Sequence, residues 1–397
     1  MADGPTSVEP VWDVAVVGAG PAGSIAARVA AAAGARVVLL DRAAVPRYKT
    51  CGGGLIGTSR RLAAEHIGLP DHVSARVQAA TVTLDGARPF TRRVRDGDLL
   101  EMVNRDEFDA ALVRAAQAAG VELRTRTALR GLAEADDRVT VQTSSGPVAA
   151  RVVIEADGSA GRVGTHVGVR CRQVDLGLEV ELPATEAMRT EWQGRVLLDW
   201  GPIPGSYAWL FPKADTLTVG VIAARGAGDR TRAYLADFVE RLGFGNVRPR
   251  TSSGHLTRCR HEDSPLRRGR VVVVGDAAGL LEPFTREGIS FALRSGRMAG
   301  EAAAKAAASE STESAGLALA GYERAVEATL VPEMRAGASI LAAFRRHPVV
   351  FHAGLATPNG WKYFARFCRG ETAFSRATRH RAVAAALSLV AASPRAR

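Results

Sequence analysis

The run Cys51-Gly52-Gly53-Gly54 combines a residue that can do chemistry with residues that let the backbone approach a ligand. A free thiol has a pKa of about 8.5, so Cys51 could donate a proton near neutral pH, or it could pack as a small hydrophobic side chain. The glycines suit close contact with a flat molecule, although a flexible turn would also use them. We predict that Cys51 is catalytic, that Gly52 contacts a cofactor and that Gly53 contacts the substrate.

An alternating aromatic run supplies a second candidate surface. It consists of Tyr207, Trp209 and Phe211, and Pro212 ends it. Alternate residues of a strand lie on one face, so these rings would form a flat apolar surface suited to a polyene or aromatic substrate. An ordinary sheet core has the same pattern. We predict that Tyr207 and Trp209 are catalytic and that Phe211 binds substrate.

A nucleotide-binding pattern near the N-terminus would position these groups. An apolar run at 14–17, a GxGxxG glycine spacing, an Ala-rich helix and a second apolar run at 37–40 follow in order, and Asp41 ends the second strand. The glycines permit a tight turn and close approach to a pyrophosphate, and the acid meets a ribose hydroxyl. The predicted contacts are Gly18, Gly20, Ala22, Gly23, Asp41 and Arg42.

Two later pieces of the chain suit the remainder of a long dinucleotide. Asp157-Gly158 ends one predicted strand, and Asp276 follows another before a loop and a long helix. Gly288 and Ile289 open that helix, whose N-terminus can stabilise negative charge on a reduced flavin ring. A nicotinamide dinucleotide would need only the first piece, so the three pieces together favour FAD.

Composition excludes several classes of function. The chain of 397 residues has a net charge of +11, but it contains no clustered basic run or nucleic-acid module, so no nucleic-acid partner is expected. Four scattered cysteines argue against a metal centre or a disulfide framework. Arg47 and Lys49 could anchor a diphosphate or carboxylate, or be solvated. No secretory or membrane-spanning segment is evident, so we expect a cytoplasmic protein, with peripheral membrane contact as an alternative.

The strand and helix patterns predict a discontinuous architecture. Residues 1–10 are expected to be a disordered tail, and a cofactor domain is predicted from residues 11–80, 104–165 and 268–345. An inserted antiparallel-sheet substrate domain would take residues 81–103 and 166–267. Residues 346–397 would form a helical C-terminal segment, with a helix near 379–393 as a lid, a membrane contact or a docked terminal helix.

Three motifs resemble flavoproteins of the geranylgeranyl reductase family, which have the para-hydroxybenzoate hydroxylase-like fold. They are PRYKTCGGG, YAWLFPK followed by Val219-Gly220, and GDAAGLLEPFTREGI. The resemblance implies an α/β fold (α+β overall) with a glutathione-reductase-type FAD-binding domain. It also implies that Arg105 contacts FAD and that Asp157-Gly158 is the DG motif associated with FAD and NAD(P)H. Family members reduce carbon–carbon double bonds of prenyl chains.

One departure from the family pattern concerns Arg286. It stands in Thr285-Arg286-Glu287-Gly288-Ile289, where the family has Thr-Gly-Glu-Gly-Ile. A cation there could bind a nicotinamide phosphate, an acidic substrate group or the flavin, and we predict a cofactor contact.

The resemblance implies an FAD-dependent reductase that takes electrons from NADPH, NADH or reduced ferredoxin. Its substrate would be lipophilic, with a prenyl chain or a diphosphate group. The alternatives are an aromatic or polyketide hydroxylase or halogenase on the same fold, and a flavoprotein electron carrier to a quinone pool. The YAWLFP run lacks the Trp-x-Trp-x-Ile-Pro pattern of halogenases, and Cys368 stands alone where an iron–sulfur carrier would need clustered cysteines.

Overall fold

The computed structural model describes residues 11–159, 161, 164–379, 385 and 390 of the chain. The strands, in chain order, are β1 (Trp12–Val17), β2 (Val37–Leu40), β3 (Gly54–Leu55), β4 (Val73–Val77), β5 (Ala79–Leu84), β6 (Ala87–Arg93), β7 (Leu100–Val103), β8 (Glu122–Arg124), β9 (Leu129–Glu134), β10 (Val139–Thr143), β11 (Gly146–Glu155), β12 (Cys171–Pro183), β13 (Arg195–Trp200), β14 (Tyr207–Pro212), β15 (Thr216–Ala224), β16 (Thr251–Arg260), β17 (Arg267–Arg268) and β18 (Val271–Val273).

The α-helices are given next, in chain order. They are α1 (Pro21–Ala32), α2 (Ser59–Ala64), α3 (Arg105–Ala118), α4 (Gly164–Val167), α5 (Glu186–Trp192), α6 (Gly228–Arg241), α7 (Ile289–Ala307), α8 (Thr312–Thr329), α9 (Val331–Arg346), α10 (Pro348–Ala356), α11 (Pro358–Cys368) and α12 (Phe374–Thr378). The predicted tail at 1–10 lies outside the described residues. So does the predicted helix near 379–393, apart from residues 379, 385 and 390.

The first sheet has eight strands and a parallel centre. Its order is β17-β18-β11-β1-β2-β8, and β10 and β9 extend it from β11 as antiparallel strands. Residues 14–17 of β1 and all of β2 are apolar and buried on both faces, as expected for parallel strands covered by helices. The register aligns Val17 with Glu155 and Glu155 with Val273. Because parallel strands end at the same edge, the three predicted cofactor-binding pieces begin side by side.

Helix α7 packs directly on α1 through glycines. A Cβ added at Gly296 would lie 2.2 Å from the Ala22 carbonyl oxygen, and one at Gly300 would lie 2.5 Å from that of Ala26. These distances are too short for any side chain, so the two helix backbones are in contact. This packing fixes the start of α7 next to the glycine-rich loop that precedes α1.

The second sheet has seven strands in the order β16-β12-β15-β14-β13-β5-β6. All neighbours are antiparallel except β13 and β5. Helix α6 covers one face with Tyr234, Leu235 and Phe238. The predicted fold class is therefore confirmed: an α/β domain is interrupted by a largely antiparallel sheet and followed by helices.

A third, three-stranded sheet was not predicted. It pairs β7 with both β3 and β4, and Gly54 lies opposite Met102. The Cys51-Gly52-Gly53 run therefore leads straight into a strand. The pairing of β4 with β7 joins segments that the sequence pattern assigned to different domains, whose limits stay predictions. Within the described residues, no helix is long and apolar enough to cross a membrane.

Substitutions at two helical glycines should distinguish the effect of α1–α7 packing on the free energy of unfolding from the effect of helix propensity. Gly296→Ala should lower the free energy of unfolding by about 1–3 kcal/mol, because its Cβ would overlap the α1 backbone. Gly316→Ala is the matched control: it lies in α8 with open space around its Cβ position, and it should raise the free energy by up to about 1 kcal/mol. Urea unfolding checks both values, and equal effects at the two positions would contradict the packing.

Candidate functional site

The glycine loop, residues 18–23, is built so that backbone alone can approach a ligand. Gly18 has φ +105°, and its added Cβ would lie 2.3 Å from the Ala156 carbonyl oxygen. At Gly23 the added Cβ would lie 1.8 Å from the Gly18 carbonyl oxygen. Gly20 is the N-cap of α1, and no side chain caps this helix or places an acid in its first turn. The first-turn N–H groups can therefore bind an anion.

Basic side chains surround this helix N-terminus. Arg47 lies 3.7 Å from Asp41 and 3.6 Å from Asp109, and Asp109 also pairs with Arg105 at 2.9 Å. Burial, with the nearby Arg105 charge, lowers the pKa of Lys49. Arg47, Lys49 and Arg105 therefore lie among three carboxylates, those of Asp41, Asp109 and Asp276, and they place charged donors where the loop would meet a pyrophosphate.

Three of the residues predicted to contact the cofactor, namely Asp41, Arg42 and Ala22, differ in burial and in their contacts. Asp41 is buried, and its two carboxylate oxygens accept hydrogen bonds from the Ala19 and Ala43 N–H groups at 2.8 Å. Arg42 is exposed. Ala22 is buried on α1 beside Gly275. Asp41 therefore fixes the loop geometry, and its role toward a ribose stays a prediction.

The Cys51 thiol lies beside the Arg105 guanidinium. Burial opposes the charged form of Arg105, but Asp109 and the Cys51 thiol outweigh this effect and raise the pKa of Arg105. The Gly53 N–H group points at Cys51 Sγ, 3.4 Å away. A negative charge on this sulfur would therefore face a permanent cation.

The structure brings Cys51-Gly52-Gly53 against the aromatic stripe, formed by Tyr207, Trp209 and Phe211. A Cβ added at Gly52 would lie 2.7 Å from Phe211 Cδ2 and 3.3 Å from Trp209 Nε1. The ring centroids of the stripe are 5.9 Å and 6.2 Å apart. Trp209 lies flat on Gly220, where a Cβ would come within 2.2 Å of the indole. Gly53 lies beside the Val103 carbonyl and the Lys213 side chain.

A buried carboxylate that sequence reasoning missed holds this loop in place. Glu179, on β12, accepts hydrogen bonds from the Cys51 N–H group at 2.8 Å and the Tyr48 hydroxyl at 3.0 Å. Burial raises the pKa of Glu179, although the neighbouring Lys213 charge lowers it in part. The sequence does contain a signal for it: Asp175, Glu179 and Glu181 lie on one face of a strand whose other face is apolar from Val174 to Leu182.

The second and third pieces of the predicted site meet through a histidine that the sequence analysis did not select. His255 Nε2 lies 2.9 Å from Ser159 Oγ and 3.6 Å from Asp276 Oδ2. Burial opposes the charge on Asp276, but His255 and Lys49 outweigh it and lower the pKa of Asp276. His255 therefore links Ser159, which follows Asp157-Gly158, to Asp276.

Glycines border this contact on both sides. Gly158 has φ +77° and open space around its Cβ position. Gly288 is the N-cap of α7, close to Asp276 Oδ1, and Ile289 is buried behind it. Gly288 has no side chain to cap α7, but the Glu287 carboxylate accepts a hydrogen bond from the Ser290 N–H group at 2.6 Å, so a carboxylate of this chain already binds part of the first turn.

Arg286 has a different position from the one expected of an anion ligand. Its backbone has φ +58°, in the left-handed region that favours glycine. Its Nε donates to Asp175 at 3.1 Å, Nη1 to the Phe284 carbonyl at 2.7 Å and Nη2 to the Gly205 carbonyl at 2.9 Å. All three nitrogens are engaged within the chain. The side chain ties the loop before α7 to β12, and a cofactor contact of Arg286 stays a prediction.

Comparison with known proteins agrees with these features. A family model described as FAD binding domain matches residues 11–192. The fold and the match define an FAD-dependent oxidoreductase.

The relatives identify the family. Digeranylgeranylglycerophospholipid reductase 1 of Methanopyrus kandleri is 32% identical over 322 residues, covering 76% of this chain and 82% of that protein. An uncharacterized protein of Methanosarcina barkeri is 30% identical over 298 residues, covering 73% and 74%. A geranylgeranyl bacteriochlorophyll reductase-like structure from Thermoplasma acidophilum has a TM-score of 0.77 at 20% identity, covering 96% of this chain and 99% of that one. The chain belongs to the geranylgeranyl reductase family of FAD-dependent oxidoreductases.

The residues present fit FAD. The uncapped N-terminus of α1, the open Cβ position at Gly158 and the basic side chains of Arg47, Lys49 and Arg105 suit a pyrophosphate with its two nucleosides. Among the described residues, no group of three or more potential ligands could hold a metal ion.

A buried acid next to the site should make stability depend on pH. Glu155 is fully buried, neither of its oxygens has a hydrogen-bond partner within the described residues, and burial with the Asp157 and Glu134 charges raises its pKa to about 9. The folded state therefore keeps this proton while the unfolded chain loses it above about pH 4.5. The stability that Glu155 contributes is complete below that pH and is lost as the pH rises toward 9.

Glu155→Gln tests this dependence. Urea unfolding of the FAD-saturated protein between pH 5 and 9 should show a slope smaller than that of the wild type by up to about 1.4 kcal/mol per pH unit. Glu310→Gln, at an exposed position, is the control and should keep the wild-type slope. An unchanged slope in Glu155→Gln would contradict the assignment.

Proposed function

We propose that this protein saturates carbon–carbon double bonds in the prenyl chain of a lipophilic substrate. The observation that carries the proposal is the contact of Gly52 with Phe211 and Trp209, which joins the thiol loop to a flat apolar surface beside the cofactor-binding edge. The name of the Methanopyrus relative, a prenyl-lipid reductase, supports the same reaction.

The reaction adds a hydride to one alkene carbon and a proton to the other. Bound, reduced FAD supplies the hydride. In this proposal NADPH, NADH or reduced ferredoxin provides the electrons. The Cys51 Sγ–H, or a water molecule beside it, gives the proton to the second carbon, and the sulfur is then reprotonated from solvent. The Arg105 guanidinium lies beside this sulfur.

The aromatic stripe orients the chain and excludes water. The Tyr207 hydroxyl donates to the Thr285 carbonyl at 2.5 Å, and burial raises the pKa of Tyr207, so the ring is fixed and neutral. Trp209 Nε1 is buried and has no hydrogen-bond partner within residues 11–159 or 164–379. In this proposal Tyr207 and Trp209 stack on the substrate, and Phe211 contacts it near Gly52 and Gly53.

Anaerobic reduction followed by substrate addition tests the function. Dithionite-reduced, FAD-loaded enzyme mixed with geranylgeranyl diphosphate should reoxidise its flavin and give a product heavier by two hydrogens for each bond reduced. Stopped-flow absorbance and mass spectrometry measure the two results. Absence of flavin reoxidation with any prenyl substrate would overturn the proposal. Oxygen consumption triggered by an aromatic substrate would favour a hydroxylase or halogenase, and reduction of a quinone alone would favour an electron carrier.

Cys51→Ser tests the chemical role of the thiol. We expect FAD absorbance to be retained and turnover to fall by roughly 100-fold or more, since a positioned proton donor contributes about that much. Cys171→Ser is the control because Cys171 is exposed on β12. Full turnover in Cys51→Ser would leave Cys51 with a packing role.

A further inference from the structure

A cavity lined by arginines lies between β12 and α9. Its volume is about 300 Å³, and its lining includes Arg172 and Arg345 together with apolar groups of Ala224 and Leu341. A smaller neighbouring cavity of about 30 Å³ shares Arg172 and adds Arg260. We call the two together the arginine cavity. Its size falls at the lower end of the range for small-molecule sites.

Three guanidinium groups of this cavity have no ion-pair partner in the part of the chain that the structure describes. They belong to Arg172, Arg260 and Arg345. Arg260 is only 5% exposed, and its Nε and Nη1 atoms lack hydrogen-bond partners. Leaving buried donors unpaired is costly, so an anionic ligand would stabilise this arrangement.

The carboxylates of the cavity lining do not neutralise these arginines. Asp175 pairs with Arg286 at 3.1 Å, and Glu262 pairs with Arg335 at 3.1 Å. Burial lowers the pKa of Arg345, the like charges of Arg286 and Arg172 add to this shift, and the Asp175 carboxylate offsets part of it. The cavity therefore holds an excess of positive charge, and guanidinium groups bind phosphate oxygens in a bidentate manner.

The arginine cavity adjoins one end of the aromatic stripe. Arg345 packs on Gly205, where an added Cβ would lie 2.6 Å from Arg345 Cγ. Arg286 donates to the carbonyl of the same glycine and lies 5.7 Å from the centre of the Tyr207 ring. From Tyr207 the stripe runs along β14 to Phe211 and Gly52, a distance of roughly 13 Å for four strand residues.

We infer that the arginine cavity binds the phosphate or diphosphate head of the substrate while the apolar chain extends along the aromatic stripe. This inference rests on the proposed function for the identity of the chain, but not for the existence of an anion site. Arg172 and Arg345 would contact the phosphate oxygens, and Leu341 and Ala224 would contact the first carbons of the chain.

Equilibrium binding tests the inference without turnover. Isothermal titration of the FAD-loaded enzyme, whose cofactor phosphate site is filled, would use geranylgeranyl diphosphate, geranylgeraniol and inorganic pyrophosphate. The diphosphate lipid should bind at least 10-fold more tightly than the alcohol. Arg172→Gln and Arg345→Gln should each remove most of that ratio while leaving the affinity for the alcohol unchanged.

The binding experiment has its own control, and the results that would overturn the head-group site differ from those that would overturn the proposed reaction. Arg248→Gln, at an exposed position outside the cavity, should keep the wild-type ratio. Equal affinity of wild type for the alcohol and the diphosphate, or a ratio that survives both variants, would overturn the head-group site. Pyrophosphate binding that depends on Arg172 while lipid binding does not would assign the cavity to a free phosphate ligand. Because Arg172 is exposed, its variant stays informative if Arg345→Gln fails to fold. Failure of flavin reoxidation would overturn the proposed reductase activity, but the measured affinities would still test the anion site.

Discussion

Three carboxylates on one face of β12 hold the two halves of the site together. Asp175 pairs with Arg286 from the loop before α7, Glu179 accepts the Cys51 N–H group, and Glu181 binds Lys213 at 2.8 Å. A buried carboxylate without a partner costs several kcal/mol, so each acid requires its partner to be in place. The partners come from distant parts of the chain, and their convergence positions the thiol loop against the aromatic stripe.

Cations and carboxylates lie together on the cofactor side. Arg47, Lys49 and Arg105 face Asp41, Asp109 and Asp276, and Lys49 and Arg105 both contribute to the lowered pKa of Asp276. The charges at the cofactor-binding edge are therefore largely paired within the protein. The arginine cavity differs, because Arg172, Arg260 and Arg345 have no ion-pair partner in the part of the chain that the structure describes.

The predicted cofactor-binding edge of the first sheet could be recognised in the sequence because it depends on residues that are close together in the chain. Gly18 and Gly23 are needed because any Cβ would overlap backbone, and the strand, helix and strand around them have clear periodicities. The alternation of Tyr207, Trp209 and Phe211 likewise gave the stripe, which the structure contains. The arrangement of the three pieces side by side follows from their shared position at strand ends.

Contacts across long sequence separations were not predictable in the same way. Glu179 and Cys51 are 128 residues apart, and His255 meets Ser159 across 96 residues. Such pairs depend on how the two domains dock, which no local pattern specifies. The ion pair of Arg286 with the buried Asp175, 111 residues away, is another such contact, while the cofactor contact expected of Arg286 stays a prediction.

The position of Arg286 has a mechanical consequence. Its guanidinium links β12, the Gly205 turn and the loop before α7, and the backbone at residue 286 is held in a conformation that L-residues seldom adopt. A glycine at position 286 could not make these side-chain hydrogen bonds, whereas Arg286 connects the three segments through them. These hydrogen bonds link the loop before α7 to the second sheet, so any rearrangement that separates the two must break the buried ion pair of Arg286 with Asp175.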